Sequence, residues 1–370
     1  MSTGIYEELT AGRTRFLRVE ALCRLASEKG ALPSPSELAA EAGRPLREKK
    51  GLERQQGAFL AEILADPVAG AHLCHAMLLP HPEANKKFSE YDKSGEIDLG
   101  GAHLRRQGKV AVLTMKNPAY LNAEDEATLP GMELAVDLAL LDPATEVCLL
   151  RGAPVEHPKY KGKRLFGAGI NLTHLYHGRI RYLWYLVRDL GFVNKLYRGL
   201  AKPDVSPEVD SVEKLWIAAV EGFAIGGHCQ TLLAMDYIIA AEDAYLTLPA
   251  RKEGIIPGAA NLRLPRFVGD RIARQAILAE LRIDCASPAG RMICDEVVPP
   301  AKMDAAIEAI VEKLTGSGVV SAAGNRRAFR AGEEPLDAFR RYMAVYAREQ
   351  VQCHLSPQLV SNLEKNWKVK

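Results

Sequence analysis

Two glycine-containing turns hold the residues of this sequence that are best suited to chemistry. FGAGINL occupies positions 166–172 and AIGGHCQ positions 224–230, each between an apolar run and a helical pattern. At such a turn, free backbone N–H groups lie at the positive end of the helix dipole. One turn could bind a phosphate, whereas two converging turns could direct two N–H donors at one oxygen and form an oxyanion hole. Taken singly, the glycines are equally explained by tight bends, and neither turn has the GxGxxG spacing of a dinucleotide site.

Three side chains that could take part in chemistry come directly after the glycines of the second turn: His228, Cys229 and Gln230. Cys229 could act as a nucleophile, but no base partner is identifiable, so a buried apolar role is the better interpretation. His228 could enter a pocket here or turn away from it. Gln230 lies on the first turn of a helix, where it is either polar filler or a hydrogen-bonding group of the site.

Ligand-type side chains occur in two further groups, which are His72, Cys74, His75 and His81, and then His174 and His177. No acidic triad and no CxxC pair completes either group, which argues against a structural zinc or iron site. The sequence therefore predicts no bound metal.

The composition is that of an ordinary globular protein. The 370 residues are 48% apolar and 25% charged, with a net charge of +2, so charge gives no argument for nucleic acid or an anionic membrane. No apolar run approaches the roughly 20 residues of a membrane span, and the N-terminus lacks the apolar region of a secretory signal. The seven scattered cysteines favour reduced thiols. We therefore expect a cytoplasmic protein without nucleic-acid or membrane partners.

The elements that must position these residues fall into three segments. Residues 1–105 have helical periodicity, and SPSELAAEAG illustrates it with a capping Ser34, an acidic Glu37 in the first turn and a terminal glycine. Residues 106–300 alternate strands with helices, which indicates an α/β layered core. Residues 301–370 are helical again. We predict a helical N-terminal domain, an α/β core and a C-terminal helical region.

Five motifs of the core resemble the crotonase, or enoyl-CoA hydratase/isomerase, family: NPAYLNAED (117–125), the GAGIN turn, IAAVEGFAIGGHCQ, AYLTLP and GIIPGAANLRLPRFVG (254–269). The resemblance implies a spiral of ββα turns, an acyl-CoA thioester substrate, and homo-oligomers that are trimers or dimers of trimers, built through the C-terminal helices. It also implies that the amides of Ile170 and Gly227 polarise the thioester carbonyl and stabilise an enolate.

The chain departs from the hydratases of that family at both of their catalytic glutamates. The first falls on Gln230, and the second follows a proline where this chain has Pro249-Ala250. Glu253 is nearby, but the resemblance assigns it a structural place. Plain hydration of an enoyl thioester is therefore not expected.

A closer resemblance involves HPKYKGKRLFGAGINL, RDLGFVNKLYRGLA, EGIIPGAANLRL and DAFRRYMAVYAREQ, together with the helical N-terminal segment. These resemble a dioxygenase branch of the family that oxidises an aryl-acetyl-CoA with dioxygen, using neither metal nor cofactor, towards a precursor of vancomycin-type antibiotics. The implied reaction forms an enolate that reduces dioxygen, and the resulting peroxide expels CoA. Acyl-CoA and dioxygen would both be substrates.

The same resemblance implies the roles of individual residues. Glu124 and Arg188 would hydrogen-bond two phenolic hydroxyls, and Gln230 would lie near the reacting carbon. The CoA moiety would follow Pro118, the segment His157, Pro158, Lys159 and Tyr160, and the segment Ala168, Gly169, Ile170, Asn171, Leu172 and Thr173. Candidates for its phosphates are Lys159, Lys161, Lys163 and Arg164.

Alternatives stay open for these residues and for the function. Glu124 could cap a helix beginning near residue 125, Arg188 could pair on the side of Asp189 or with another subunit, and His157 could act as a base although none is required. The chain could also be another acyl-CoA enzyme of the family, a thioester hydrolase or isomerase. A third hypothesis is a catalytically idle assembly protein with the same fold.

Overall fold

The structure is a computed structural model that describes residues 2–316 and 318–368. Its N-terminal segment is helical, and the helices are α1 (Ser2–Leu9), α2 (Val19–Glu28), α3 (Pro35–Ala42), α4 (Glu53–Ala65), α5 (Pro67–Leu78) and α6 (Ala84–Ser94). The predicted start of α3 is confirmed, since the Ser34 hydroxyl accepts from the Glu37 amide while the Glu37 carboxylate accepts from the Ser34 amide.

The core combines strands with helices. Its strands are β1 (Glu96–Asp98), β2 (Ala102–Gln107), β3 (Val110–Met115), β4 (Val147–Gly152), β5 (Leu200–Ala201), β6 (Ser211–Val212), β7 (Leu215–Val220), β8 (Phe223–Ile225), β9 (Tyr237–Ala241), β10 (Tyr245–Thr247), β11 (Ile283–Asp284) and β12 (Glu296–Val298). Its helices are α7 (Leu129–Leu141), α8 (Leu172–Tyr176), α9 (Tyr182–Val187), α10 (Asn194–Arg198), α11 (Gly227–Leu232), α12 (Ala250–Glu253) and α13 (Ala260–Leu278).

A seven-stranded sheet organises the core in the order β1-β2-β3-β4-β7-β9-β12. The first three strands are antiparallel, and from β3 onward the pairs are parallel. Strands β4 and β7 are buried almost throughout, because helices and chain cover both faces of a parallel sheet. A smaller sheet pairs β8 with β10 in parallel and β10 with β11 antiparallel. Strand β8 is an edge strand of this small sheet, and the second glycine turn follows directly at its end.

The sheet begins earlier than the sequence indicates. Strand β1 lies before residue 106 and β2 begins before it, so the expectation of purely helical structure up to that point is wrong. The physical reason is the weakness of their periodic signal. β1 has three residues, and β2 buries only Ala102 and Leu104 among polar side chains.

The C-terminal region consists of α14 (Met303–Leu314), α15 (Val319–Glu333), α16 (Leu336–His354) and α17 (Pro357–Trp367). Helix α16 packs along α4, and Arg340 donates to the carbonyls of Leu64 and Ala65 at the end of α4. One continuous apolar core includes residues from the N-terminal helices, the sheet and the C-terminal helices. The division at residues 105 and 300 therefore stays a proposal about domains that share a core.

A π-helical segment, Arg188–Val193, interrupts the helical stretch from Tyr182 to Arg198. It joins α9 to α10, and such segments often occur at functional sites because they reorient the side chains along a helix. Gly191 lies at the middle of this segment, where an added side-chain carbon would come within 2.9 Å of the Glu133 carboxylate. A larger residue at this position would have to displace the Glu133 carboxylate of α7.

Among the described residues, no single helix is long and apolar enough to cross a membrane, and α4 and α5 meet that criterion only as a pair bent by 108°.

Candidate active site

The two glycine turns lie side by side, as the oxyanion-hole hypothesis requires. Gly167 forms a parallel bridge with Ala224, and the amide of Ile225 donates to the Gly167 carbonyl at 3.0 Å. Gly169 has φ +78°, and a side-chain carbon added to it would lie 2.7 Å from the Ile225 carbonyl oxygen and 3.2 Å from the Gly227 nitrogen. The chain thus approaches itself closely enough that only glycine fits.

Each turn has a free amide at the position that the hypothesis requires. In the first turn the amides of Ala168, Gly169 and Asn171 donate to Leu121, His228 and Glu124 at 3.1, 3.0 and 2.8 Å. The amide of Ile170 donates to no group in the described chain, and neither does the amide of Gly227 at the start of α11. Two unpaired N–H groups on adjacent turns are the donors that an oxyanion hole needs.

His228 turns away from the cavity and joins the two turns. Its ring is buried, and Nδ1 accepts the hydrogen bond from the Gly169 amide. The ring also occupies the space in front of Gly167, where an added carbon would lie 2.3 Å from it. The pKa of His228 is lowered to about 4, chiefly by burial and also by the nearby Arg188 guanidinium, while Glu124 opposes both effects. Neutral His228 therefore holds the first turn against the second.

We expect His228 to make stability depend on pH. Its folded pKa of about 4 lies below the ordinary value of about 6.5, so the unfolded chain binds the proton more readily between these values. The free energy of unfolding should fall as pH drops from 6.5 to 4, on the order of 3 kcal/mol from this group.

Urea unfolding at several pH values measures this contribution. His228→Asn keeps a side-chain acceptor but cannot titrate, so it should flatten the dependence on pH. His103→Asn on β2, where the side chain is 37% exposed, serves as the matched control and should leave the dependence unchanged. An unchanged slope in His228→Asn would contradict this role.

A buried ion pair lies beside the turns. Arg188 bonds both carboxylate oxygens of Glu124, through Nε and, at 3.0 Å, through Nη2. Glu124 is 1% exposed and Arg188 2% exposed. Burial alone would raise the pKa of the Glu124 carboxyl, but Arg188 and, more weakly, His228 lower it below its usual range. Glu124 does not cap the following helix, because Asp125 accepts the amides of the turn before α7. Glu124 is thus an ionised partner of Arg188.

Arg188 also gathers the other polar groups of the site. Nη1 donates at 3.0 Å both to Asp189 and to the side-chain oxygen of Gln230, and Nη2 donates at 2.7 Å to the Gly227 carbonyl. With its oxygen occupied, Gln230 keeps its NH₂ group as a donor without a partner in the described chain. The structure therefore brings together Glu124, Arg188, Gln230 and both turns, although the sequence separates them by up to about a hundred residues.

These groups line one small cavity of about 30 Å³, room for one or two water molecules. Sequence reasoning missed the lining residues Trp184, Tyr185 and Tyr346. It named Asp189 only as a neighbour of Arg188 and gave Glu253 a structural place, whereas both line the cavity. The Trp184 indole N–H and the Tyr185 hydroxyl are buried and make no hydrogen bond in the described chain. An aromatic ring can enter this cavity only when lining side chains move.

The segments predicted to carry CoA lie together beside the first turn. The Glu156 amide donates to the Pro118 carbonyl at 3.1 Å, and Tyr160 packs edge-on against Phe223. The residues His157, Pro158, Lys159, Lys161, Lys163 and Thr173 are exposed, whereas Tyr160, Arg164, Ala168 and Leu172 are half-buried. The Asn171 side chain is already used, since it caps α8 and donates to Asp125.

The remaining candidates lie outside this site or are chemically quiet. Cys229 is buried, and burial together with Cys285 raises its pKa to about 12, which fits the predicted apolar role. His72 bonds the Tyr6 hydroxyl and His75 the Lys202 carbonyl. Over residues 2–316 and 318–368, no group of three or more His, Cys, Asp or Glu side chains is placed to hold a metal ion.

Comparison with known proteins identifies the family. The enoyl-CoA hydratase/isomerase family matches residues 105–354. The chain belongs to this family. A relative from Amycolatopsis orientalis, a (3,5-dihydroxyphenyl)acetyl-CoA 1,2-dioxygenase, is 48% identical over 349 residues, which cover 94% of this chain and 80% of the relative. The predicted resemblances to the family and to its dioxygenase branch are confirmed.

Other enoyl-CoA hydratase/isomerase family members are more distant. A short-chain-enoyl-CoA hydratase from Clostridium acetobutylicum is 27% identical over 64% of this chain and 83% of its own length. Crystal structures of enoyl-CoA hydratases from Mycobacterium avium subsp. paratuberculosis and Bacillus halodurans superpose with TM-scores of 0.60 and 0.58 at 21% and 18% identity. Each superposition covers 72% of this chain. It covers 98% of the Mycobacterium protein and 99% of the Bacillus protein. These structures confirm the predicted crotonase-type fold of the core.

Proposed function

We propose that this enzyme is a (3,5-dihydroxyphenyl)acetyl-CoA 1,2-dioxygenase, which forms 3,5-dihydroxyphenylglyoxylate and CoA. The observation that carries the proposal is the site itself. Arg188 holds Glu124 and Gln230 beside the free amides of Ile170 and Gly227. The two positions that match the acid/base glutamates of hydratases carry Gln230 and Ala250, and both line the same cavity. The 48% identity to a dioxygenase of that name supports the same substrate.

The proposed chemistry begins at the thioester carbonyl. Its oxygen accepts from the amides of Ile170 and Gly227, so loss of an α-proton gives a stabilised enolate. The enolate adds dioxygen at the α-carbon, and the peroxide attacks the thioester carbon and displaces CoA. Cleavage of the O–O bond with loss of the second α-hydrogen gives the α-keto acid. One substrate and one dioxygen account for all atoms, so the proposal requires neither metal nor organic cofactor.

Recognition of the substrate follows from the partners of Arg188. Some of the hydrogen bonds between Glu124 and Arg188 can be replaced by hydrogen bonds to two phenolic hydroxyls. The carboxylate would accept from one hydroxyl, and the guanidinium would donate to the other. Gln230 presents its NH₂ group near the reacting carbon. Lys159, Lys161 and Lys163 are exposed, and we assign them to the phosphates of CoA.

We further propose a homo-oligomer, a trimer or dimer of trimers built through the C-terminal helices, acting in the cytoplasm. All seven cysteines are free thiols and six of them are buried, which suits a reducing compartment.

A dioxygen-uptake assay tests the proposed function. With (3,5-dihydroxyphenyl)acetyl-CoA in metal-free buffer containing a chelator, we expect one dioxygen consumed for each CoA released, at the rate seen without the chelator. Under strict anaerobiosis CoA release should stop. Equal CoA release with and without dioxygen would instead indicate a thioester hydrolase, and tight thioester binding without turnover would indicate an assembly protein.

A further inference from the structure

Glu253 is a carboxyl group in the active-site cavity that the proposed chemistry has not yet used. It lies at the end of the short helix α12 and lines the same cavity as Ile170, Gly227 and Gln230. The residue is 5% exposed, and its carboxyl makes no hydrogen bond and no ion pair with any residue in the ranges 2–316 and 318–368. An unpaired buried carboxyl costs stability, so a function in the cavity explains it better than packing does.

The other carboxyl groups of the cavity are already bound, and the nearby His228 and Gln230 do not offer a base. Glu124 gives both oxygens to Arg188, and Asp189 accepts from the same guanidinium at 3.0 Å. His228 directs Nδ1 at the Gly169 amide, and Gln230 is not a base. His157 is exposed on the surface, outside the cavity. Glu253 is therefore the carboxyl in this cavity with both oxygens available to a substrate.

We propose that Glu253 is the general base that removes the α-proton of the bound aryl-acetyl-CoA. The α-C–H bond breaks, its electron pair moves through the new C–C double bond onto the thioester oxygen, and the proton goes to a Glu253 oxygen. The carboxylate becomes a neutral acid while negative charge collects between the amides of Ile170 and Gly227. This assignment rests on the proposed function only in taking (3,5-dihydroxyphenyl)acetyl-CoA as the thioester. The proton transfer to Glu253 does not depend on the later reaction with dioxygen.

The surroundings of Glu253 suit a base that works near neutral pH. Burial raises its pKa to about 7, so about half of the molecules carry the carboxylate at neutral pH, and the proton it takes is held more strongly than by an ordinary glutamate. On α12 itself, Arg251 donates to Leu278 and Lys252 pairs with Glu280, so neither compensates the charge. The titratable groups on the other walls and behind them are Glu124, Tyr185, Arg188, Asp189, Tyr346 and His354.

Exchange of α-protons for deuterium under anaerobic conditions tests this step without dioxygen chemistry. With (3,5-dihydroxyphenyl)acetyl-CoA in D₂O, NMR should show the wild-type enzyme exchanging the α-protons at a rate that rises with pH through about 7 and then levels. Glu253→Gln should slow exchange at least about 100-fold and lose this rise, while the dissociation constant of the thioester changes by less than about threefold. Glu280→Gln, a surface carboxyl, is the control and should exchange like wild type.

Glu253→Asp provides a second variant if the glutamine protein does not fold. Its shorter carboxylate should keep some exchange and retain a rise with pH. Wild-type exchange in Glu253→Gln, or no exchange by the wild-type enzyme, would overturn the proposal. If exchange depends on Glu253 but the enzyme consumes no dioxygen, the base assignment stands and the proposed dioxygenase function fails.

Discussion

Arg188→Met is expected to lower the free energy of unfolding by about 3–5 kcal/mol. The substitution keeps much of the side-chain volume but leaves Glu124, which is 1% exposed, as an uncompensated buried carboxylate. Burial would then dominate, and the pKa of Glu124 would rise instead of lying below its usual range. The loss of stability should therefore shrink as pH falls and Glu124 takes up a proton.

Urea unfolding of two further variants controls this result. Arg24→Met breaks an exposed pair with Glu28, which should cost less than about 1 kcal/mol. The double variant Glu124→Gln/Arg188→Met removes both charges and should recover most of the stability. Equal losses in Arg188→Met and in the double variant would show that the pairing with Glu124 is not the cause.

The single variant Arg188→Met should also change the selection between substrates. We expect kcat/KM for (3,5-dihydroxyphenyl)acetyl-CoA to fall by a factor of about 100 or more, because a charge-assisted hydrogen bond to a ring hydroxyl is lost and Glu124 and Gln230 lose their fixed positions. Phenylacetyl-CoA, which lacks the hydroxyls, should lose less, and binding of CoA itself should be unchanged. Equal losses for the two thioesters would argue against recognition of the hydroxyls by Arg188.

Gly169→Ala is expected to reduce turnover by about 100- to 1000-fold, the range found when an oxyanion-hole donor is lost. The added carbon would lie 2.7 Å from the Ile225 carbonyl oxygen and 3.2 Å from the Gly227 nitrogen, so the two turns must separate. Separation moves the Ile170 and Gly227 amides apart, and they can no longer donate to one oxygen. Dioxygen uptake at saturating substrate measures the effect.

Gly162→Ala is a matched control for the backbone strain. Gly162 has φ +76° and Gly169 φ +78°, so alanine is equally unfavourable at both positions. No atom lies within 4 Å of a carbon added at Gly162, so this variant should lose stability but keep its turnover. Similar turnover losses in the two variants would mean that strain, not the close approach of the turns, causes the effect.

Local signals predicted several elements correctly. Ser34 and Glu37 identified the start of α3 because a helix cap depends on residues within one turn. The apolar runs of β4 and β7 are equally local. Strands β1 and β2 were missed because their pairing, not their own pattern, makes them strands.

The candidate site divides in the same way. The glycine turns, Glu124, Arg188 and Gln230 could be identified from motifs, and the structure gathers them in one place. The pairing of Glu124 with Arg188 could not be read from the sequence, because the two residues lie 64 positions apart and the contact depends on how α9 and the π-helical segment cross the first turn. Sequence reasoning also gave Glu253 a structural place, since nothing local shows that its carboxyl is buried and unpaired.

By itself, the sequence determined the family, the two glycine turns and the absence of carboxylates at the hydratase positions, because residue identity and short-range spacing carry those features. Only the tertiary structure decided which amides stay free, where His228 points and which carboxyl remains available. Those properties depend on hydrogen-bond partners and burial supplied by residues far away in the chain. His228 is the clearest case: the sequence left open whether its ring enters the pocket or turns away, and the hydrogen bond from the Gly169 amide makes it the link between the two turns.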